Sequence, residues 1–206
     1  QDPLAELIKI DPKAIGVGQY QHDMPPARLD EVLDGVLEDC VNSVGVDLNT
    51  ASGALLTHVS GLNGSIANNI VAYREENGKF RSRRELLKVS KLGAKAYEQC
   101  AGFLRIRDGA NILDNTAVHP ESYEATEKLL KLFGYKDEDV AERKLSALPS
   151  QIKKYGEVKA AEECGMGVPT MNDVVGELLK PGRDVRGSLP QPELRTDVMD
   201  IKDLKE

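Results

Sequence analysis

Tryptophan is absent from this sequence, and phenylalanine and tyrosine together make up only 4 % of its 206 residues. Because unspecific single-strand binding relies on stacking bases against aromatic side chains, this scarcity argues against that mode of recognition. The sequence contains no run of about 18 apolar residues that could span a membrane. It also shows no basic segment followed by an apolar one at its amino terminus, the pattern of a signal peptide. We therefore expect a cytoplasmic protein that contacts no membrane.

Cysteine and histidine are few and scattered. The three cysteines are odd in number and form no CxxC pair, which excludes a disulfide framework and a zinc-type motif. Since each cysteine lies among apolar neighbours at helical spacing, we expect three buried free thiols. We expect no metal site and no cofactor. The residues concerned are Cys40, Cys100, Cys164, His22, His58 and His119.

Charge is unevenly distributed along the chain. The formal net charge is −7, yet residues 48–107 carry ten Lys or Arg against four Asp or Glu, and the remaining residues carry 17 against 30. A basic module is thus set within an acidic chain, which suggests an anionic partner for that module. The chain begins at Gln1, within what looks like an amphipathic segment, so we expect a fragment of a longer protein.

Helical periodicity dominates the chain. After Pro25 and Pro26, apolar residues at i, i+3, i+4 and i+7 predict a helix that ends before Gly45. A new unit begins at 48–51, where Asn49 or Thr50 is a good N-cap. The apolar positions of the long helix are Leu29, Val32, Leu33, Val36, Leu37, Cys40, Val41 and Val44.

Residues 48–107 contain an internal repeat with an offset of 30 residues. Each half is a short helix, a tight glycine-containing turn with a central leucine, and a second helix. Neither half could bury a core alone, so we expect the two to pack into a unit of four short helices plus a connector. The matching pairs are Leu56 with Leu86, Val59 with Val89, Ser60 with Ser90, Leu62 with Leu92, and Tyr73 with Phe103.

The two turns are the best candidates for a ligand site. A glycine permits positive φ and close approach of another chain, and the following helix offers unpaired N–H groups at the positive end of its dipole. Together these features form a phosphate site, and nearby basic side chains add charge. The candidate residues are Gly61, Leu62, Asn63, Gly64, Ser65, Lys91, Leu92, Gly93, Ala94, Lys95, Arg81, Arg83 and Arg84.

Two copies of this turn in a basic segment predict binding to the backbone of DNA or RNA without sequence readout. Such binding should be sensitive to salt. We expect no catalytic residues and no small-molecule substrate. After Arg107 the pattern predicts a helical region over 108–180 and an extended, Pro- and Gly-rich segment over 181–206. The predicted fold class is all-α, with further helices flanking the tandem module.

These residues carry a family resemblance. The segment 49–106 resembles the tandem helix–hairpin–helix domain of competence-type DNA-binding proteins, and its context resembles the bacterial transcription accessory protein Tex family over essentially the whole chain. The context motifs are DPLAELIKIDPKAIGVGQYQHDM, VGVDLNTAS, GVPTMNDVVGELLKPGRDVR and the final IKDLKE.

The resemblance implies a domain map. Residues 1–24 would be the tail of a RuvC-like YqgF domain, 25–47 a connecting helix, 48–107 the tandem module and 108–180 a helical domain. Residues 181–206 would lead toward an OB-fold RNA-binding domain that is absent here. The family's link to transcription makes the transcription machinery an expected partner, and much of its nucleic-acid affinity is attributed to the OB-fold.

Both turns depart from the Gly-x-Gly pattern of the helix–hairpin–helix family. Asn63 stands where the second glycine is expected in the first turn, and asparagine tolerates the left-handed region better than most residues. Lys91 stands where the first glycine is expected in the second turn. Lys91 either supplies charge to a phosphate site or marks a turn that only packs.

Two other functions compete with nucleic-acid binding. The acidic remainder and the Pro-rich segment 181–192 suggest a protein-interaction scaffold or spacer. A nuclease would need clustered carboxylates that hold Mg²⁺. Asp2, Glu6 and Asp11 are carboxylates near the start of the chain, and Asp2 and Glu6 could share a helix face, but no second cluster accompanies them, so a solvated helix end is the better interpretation.

Overall fold

The computed structural model describes residues 3–179, and its architecture confirms the all-α prediction. The expected extended segment 181–206 lies outside the described residues. Short 3-10 helices lie at Pro3–Lys9, Gln21–Asp23, Arg83–Lys88, Ile112–Asn115 and Pro120–Ser122. The α-helices are α1 (Pro12–Ile15), α2 (Pro26–Val44), α3 (Gly53–Leu56), α4 (Gly64–Asn77), α5 (Ala94–Cys100), α6 (Tyr123–Leu132), α7 (Asp137–Ala141), α8 (Leu148–Tyr155), α9 (Glu157–Cys164) and α10 (Val168–Leu179).

Helix α2 begins and ends where the sequence predicts. Pro26 occupies its first position, where the missing N–H costs nothing, and Gly45 ends it with φ +77° while its N–H donates to the Val41 carbonyl. The apolar stripe is only partly covered: Leu29 and Val41 are buried, whereas Val32 is 47 % exposed.

The two repeats share one hydrophobic core, as expected for halves that cannot fold alone. Three of the matching pairs are buried in it: Leu56 with Leu86, Val59 with Val89, and Leu62 with Leu92. The equivalence extends to Ile70 and Cys100, which are both fully buried. The other buried members of this core are Val41, Val46, Leu48, Ala51, Ile66, Ala67, Phe80, Leu104 and Ile106.

A two-residue parallel strand pair joins the ends of this core. Strand β1 (Val46–Asp47) pairs with β2 (Leu104–Arg105), with Val46 opposite Leu104. The N–H of Val46 donates to the Phe103 carbonyl at 2.8 Å. The residues before the first repeat are thereby tied to those after the second.

The predicted cap of the first repeat is wrong by a few residues. Ser52, not Asn49 or Thr50, caps α3, and its hydroxyl accepts from the Leu55 N–H at 3.2 Å. Asn49 instead forms a pair of hydrogen bonds with the backbone of Phe80, at 2.8 and 3.0 Å. This amide fixes the connector between the repeats, a contact that spans 31 positions and has no local signature.

A second core lies within the helices after residue 110. Helices α6, α8, α9 and α10 contribute most of it. Its buried members are Leu113, Val118, Leu129, Leu130, Val140, Leu145, Leu148, Ile152, Ala160, Ala161, Cys164, Met171, Val174, Val175 and Leu178. None of the helices described here combines the length and the apolar character that crossing a bilayer requires.

All three cysteines are free thiols, but the expectation that all are buried is wrong for Cys40. Cys40 lies on the partly covered face of α2 and is exposed, whereas Cys100 and Cys164 belong to the two cores. Burial raises the pKa of the Cys100 thiol to about 12 and also raises the pKa of Cys164.

These environments predict unequal thiol reactivity. Because the thiolate is the reacting species, Ellman's reagent should modify one thiol per native chain within minutes, and all three only after denaturation. A Cys40→Ser variant should lose the rapid phase. Rapid modification of more than one thiol in the native wild type would contradict the described packing.

Candidate nucleic-acid interface

The two predicted turns adopt the same backbone conformation. We call residues 60–65 hairpin 1 and residues 90–95 hairpin 2. The residue before each central leucine is left-handed, with φ +82° at Gly61 and +66° at Lys91. The Leu62 N–H donates to the Val59 carbonyl at 3.0 Å, and the Leu92 N–H donates to Val89 at 3.2 Å. Lys91 thus takes the conformation that glycine takes in hairpin 1.

The central leucines anchor the hairpins. The side chains of Leu62 and Leu92 are buried in the shared core, so these two candidates offer only their backbone to a ligand. Gly64 and Ala94 are the first residues of α4 and α5, and both are exposed.

The helix starts after the two hairpins differ in capping. The Asn63 side chain accepts from the Ile66 N–H at 3.0 Å and satisfies one of the free donors of α4. Gly93 precedes α5 with no side-chain cap. The first N–H groups of α5 therefore lack a side-chain acceptor within the described part of the chain.

The hairpins lie side by side. The Lys91 Nζ donates to Ser65 Oγ at 3.0 Å, so hairpin 2 reaches the start of the helix that follows hairpin 1. Asn69 on α4 donates to the Ser90 carbonyl at 2.8 Å. Gly61 in turn packs closely against Gln99 of α5. This reciprocal packing places both turns on one face of the module.

Four of the candidate cations are exposed, two of them within hairpin 2: Lys91, Lys95, Arg81 and Arg84. None of the four forms an ion pair with another residue in the range 3–179. Their charge is therefore available to a phosphate backbone.

The prediction that Arg83 contacts a ligand is wrong. Its side chain is 1 % exposed, because the 3-10 helix Arg83–Lys88 repeats every three residues and turns Arg83 inward with Leu86. The guanidinium donates to backbone carbonyls and a phenol instead. Its acceptors are Leu104 O at 2.6 Å, Val118 O at 2.7 Å, Tyr123 Oη at 2.8 Å and Thr116 O.

Asp114 completes this buried cluster. It is 2 % exposed and accepts from the Tyr123 hydroxyl at 2.7 Å. Burial raises the pKa of Tyr123 well above its usual range, so the phenol remains a neutral donor to the carboxylate. The cluster links the tandem module to the helices that follow the module. No sequence motif predicts this cluster.

A third turn, with a left-handed glycine shortly before a helix, was not among the predicted site residues, although its Gly-x-Gly spacing is visible in the sequence. Gly165 is left-handed at φ +75°, the Met166 N–H donates to the Ala161 carbonyl at 3.0 Å, and α10 begins at Val168. Glu162 and Glu163 are exposed immediately before the turn. Their carboxylates disfavour an anion, so we leave this turn out of the candidate interface.

Two of the three carboxylates that could have served metal chemistry lie within the described residues, and both have other partners. Glu6 pairs with Lys9, and Asp11 accepts from the Lys13 N–H at 2.9 Å. Asp2 lies outside the described residues. Across residues 3–179, no group of three or more His, Cys, Asp or Glu side chains is arranged to hold a metal ion.

Comparison with protein families supports the hairpin assignment. Residues 41–105 match the helix-hairpin-helix motif, and residues 111–186 match a second family described as an HHH domain. The second match covers the third turn.

Comparison with known proteins confirms the family resemblance along the whole chain. The chain is 51 % identical to the transcriptional accessory protein Tex of Neisseria gonorrhoeae and 50 % identical to protein tex of Bordetella pertussis, over 100 % and 99 % of its length. It is 34 % identical to the human S1 RNA-binding domain-containing protein 1. The matched segments make up 26 %, 25 % and 26 % of these relatives, so the chain spans about a quarter of their length.

Proposed function

We propose that this chain, which corresponds to one segment of the Tex family of transcription accessory proteins, binds the sugar–phosphate backbone of duplex nucleic acid without reading its sequence. The observation that carries the proposal is the pair of adjacent hairpins on one face, with uncompensated cations beside hairpin 2. Two phosphate contacts made from one rigid face position a protein on a duplex but carry no base information.

The chemistry of hairpin 2 suits a phosphate. The helix start at Ala94 has no side-chain cap, so its N–H groups and the positive end of the helix dipole are directed at any anion bound there. Lys91 and Lys95 add two positive charges at the same turn. Hydrogen-bond donors and charge together are the recurrent features of backbone recognition.

The aromatic residues of the module favour backbone contact over base stacking. Phe80 is 1 % exposed and stacks on Tyr73, with ring centroids 5.0 Å apart. Phe103 and Tyr97 pack against the same core. Because these rings pack in or against the core, they do not support a mode in which single-stranded bases stack on them.

The first test removes charge from hairpin 2. We expect Lys91→Gln/Lys95→Gln to weaken binding to a labelled duplex of about 20 base pairs by roughly tenfold. The slope of log affinity against log salt should fall by about one for each lysine lost. Fluorescence anisotropy with DNA and RNA duplexes in parallel, at low and moderate salt, measures both effects.

The matched control changes the same charge elsewhere. Lys153 and Lys154 are exposed on α8, outside the tandem module, and Lys153→Gln/Lys154→Gln should bind within about twofold of wild type. Equal losses in the two double variants would mean that net charge, not hairpin 2, governs binding.

A glycine at position 91 separates charge from backbone shape. The left-handed φ of +66° strains the backbone of Lys91, because its side chain disfavours that region. Lys91→Gly therefore keeps the turn and relieves about 1 kcal/mol of this strain. We expect this variant to be at least as stable as wild type and yet to bind more weakly. Unchanged affinity would indicate that the Lys91 side chain serves packing alone.

A second candidate function is a protein-interaction scaffold, favoured by apolar side chains that the described residues leave uncovered. Ile15 is 72 % exposed and Tyr20 is 69 % exposed, and Val32 and Val36 on α2 are about half exposed. Exposed apolar surface of this kind is a candidate for contact with a protein partner. Failure of the wild type to bind any duplex at low salt would favour this role, with the transcription machinery as the partner to test.

A further inference from the structure

The two hairpins differ sharply in their electrostatic surroundings. At the positions of Lys91 and Lys95, hairpin 1 carries the neutral residues Gly61 and Ser65. Hairpin 1 therefore supplies no cation of its own, and the ammonium at its Ser65 is that of Lys91 from hairpin 2. Because the two turns share one backbone conformation, the difference between them lies in charge rather than in shape.

A carboxylate from outside the module is hydrogen-bonded to hairpin 1. The Ser60 hydroxyl donates to Glu38 on α2. Asn42, one turn further along α2, donates to Ser60 Oγ at 2.9 Å and accepts from the Ser60 N–H at 3.2 Å. Ser60 directly precedes the left-handed residue Gly61, so the Glu38 carboxylate lies beside the turn.

The equivalent position in hairpin 2 has a neutral neighbour. The backbone of Ser90 accepts from the Asn69 side chain, an amide on α4. Hairpin 2 therefore contributes two lysines and has a neutral contact, whereas hairpin 1 contributes no cation, shares the Lys91 ammonium at Ser65 and has a negative contact.

We infer that Glu38 weakens phosphate binding at hairpin 1, so that hairpin 2 contributes most of the affinity for a duplex. This inference rests on the proposed function. The carboxylate repels a phosphate by ordinary Coulomb interaction, and the hydrogen bond from Ser60 holds it in place. Because Glu38 belongs to α2, the position of that helix sets the electrostatic field at hairpin 1.

The test compares two neutralising substitutions on the same helix. Glu38→Gln retains an oxygen that accepts from Ser60, and Asp34→Asn removes one charge at an exposed position one turn earlier. We expect Glu38→Gln to bind a DNA duplex about threefold more tightly than Asp34→Asn at low salt. Its salt slope should steepen by nearly one, as a further phosphate contact forms, while the slope of Asp34→Asn stays at the wild-type value.

The outcomes separate this inference from the proposed function. Equal affinities and slopes for the two variants, with clear wild-type binding, would overturn the role of Glu38 and leave the proposed function intact. Absence of wild-type binding at low salt would overturn the proposed function itself. Circular dichroism of both variants confirms that the helix content is unchanged.

Discussion

Replacing Arg83 by methionine is expected to lower the free energy of unfolding by about 3–5 kcal/mol, since removing one member of a buried charged cluster leaves the others uncompensated. The substitution would remove the positive charge that shares this buried cluster with Asp114 and deprive three backbone carbonyls of their donor. Urea unfolding followed by circular dichroism measures the loss.

The neighbouring arginine provides the control. Arg84 is exposed and forms no ion pair within residues 3–179, so Arg84→Met should change stability by less than about 0.5 kcal/mol. Arg83→Lys should also be strongly destabilising, because an ammonium cannot match the fork geometry of the guanidinium. Similar stabilities for Arg83→Met and Arg84→Met would contradict the buried cluster.

Gly61→Ala is expected to cost about 2–4 kcal/mol, from left-handed strain and from a steric collision. A Cβ at position 61 would lie 2.6 Å from the Cβ of Gln99 and 3.2 Å from the Ala96 carbonyl, and neither atom is the free end of a flexible side chain. Helix α5 would have to move away from hairpin 1. Thermal and urea unfolding report the cost.

Gly165 offers a control with a left-handed backbone and open space. Its φ is +75° and its ψ is +31°, and an added Cβ would meet nothing within 4 Å. Gly165→Ala should therefore cost only about 1–2 kcal/mol. If both alanine variants lose the same stability, the close packing of hairpin 1 on α5 is wrong.

The repeat and its hairpins could be predicted from the sequence because local rules govern them. Leucines at matching positions, a glycine or asparagine at the turn and 3.6-residue periodicity all act within a few residues. The boundaries of α2 followed from Pro26 and Gly45 for the same reason. The residues that would bind phosphate, apart from Arg83, remain predictions that the anisotropy experiments test.

The errors concern residues whose environment depends on distant partners. Three arginines at 81, 83 and 84 look alike in the sequence, and only the three-residue period of the 3-10 helix turns one of them inward. Cys40 has helical apolar neighbours, yet the described residues leave its face of α2 open. Asn49 looks like a cap but bonds with Phe80.

The sequence by itself determined the all-α class, the doubled helix–hairpin–helix pattern and the basic character of one segment. Each depends on composition or on short-range periodicity, which the chain carries in every conformation. Only the tertiary structure decided that Arg83 is a buried link, that the hairpins share one face, and that Glu38 lies beside hairpin 1. These contacts span 22 to 35 positions, and no short-range rule specifies which distant residues meet when the cores close.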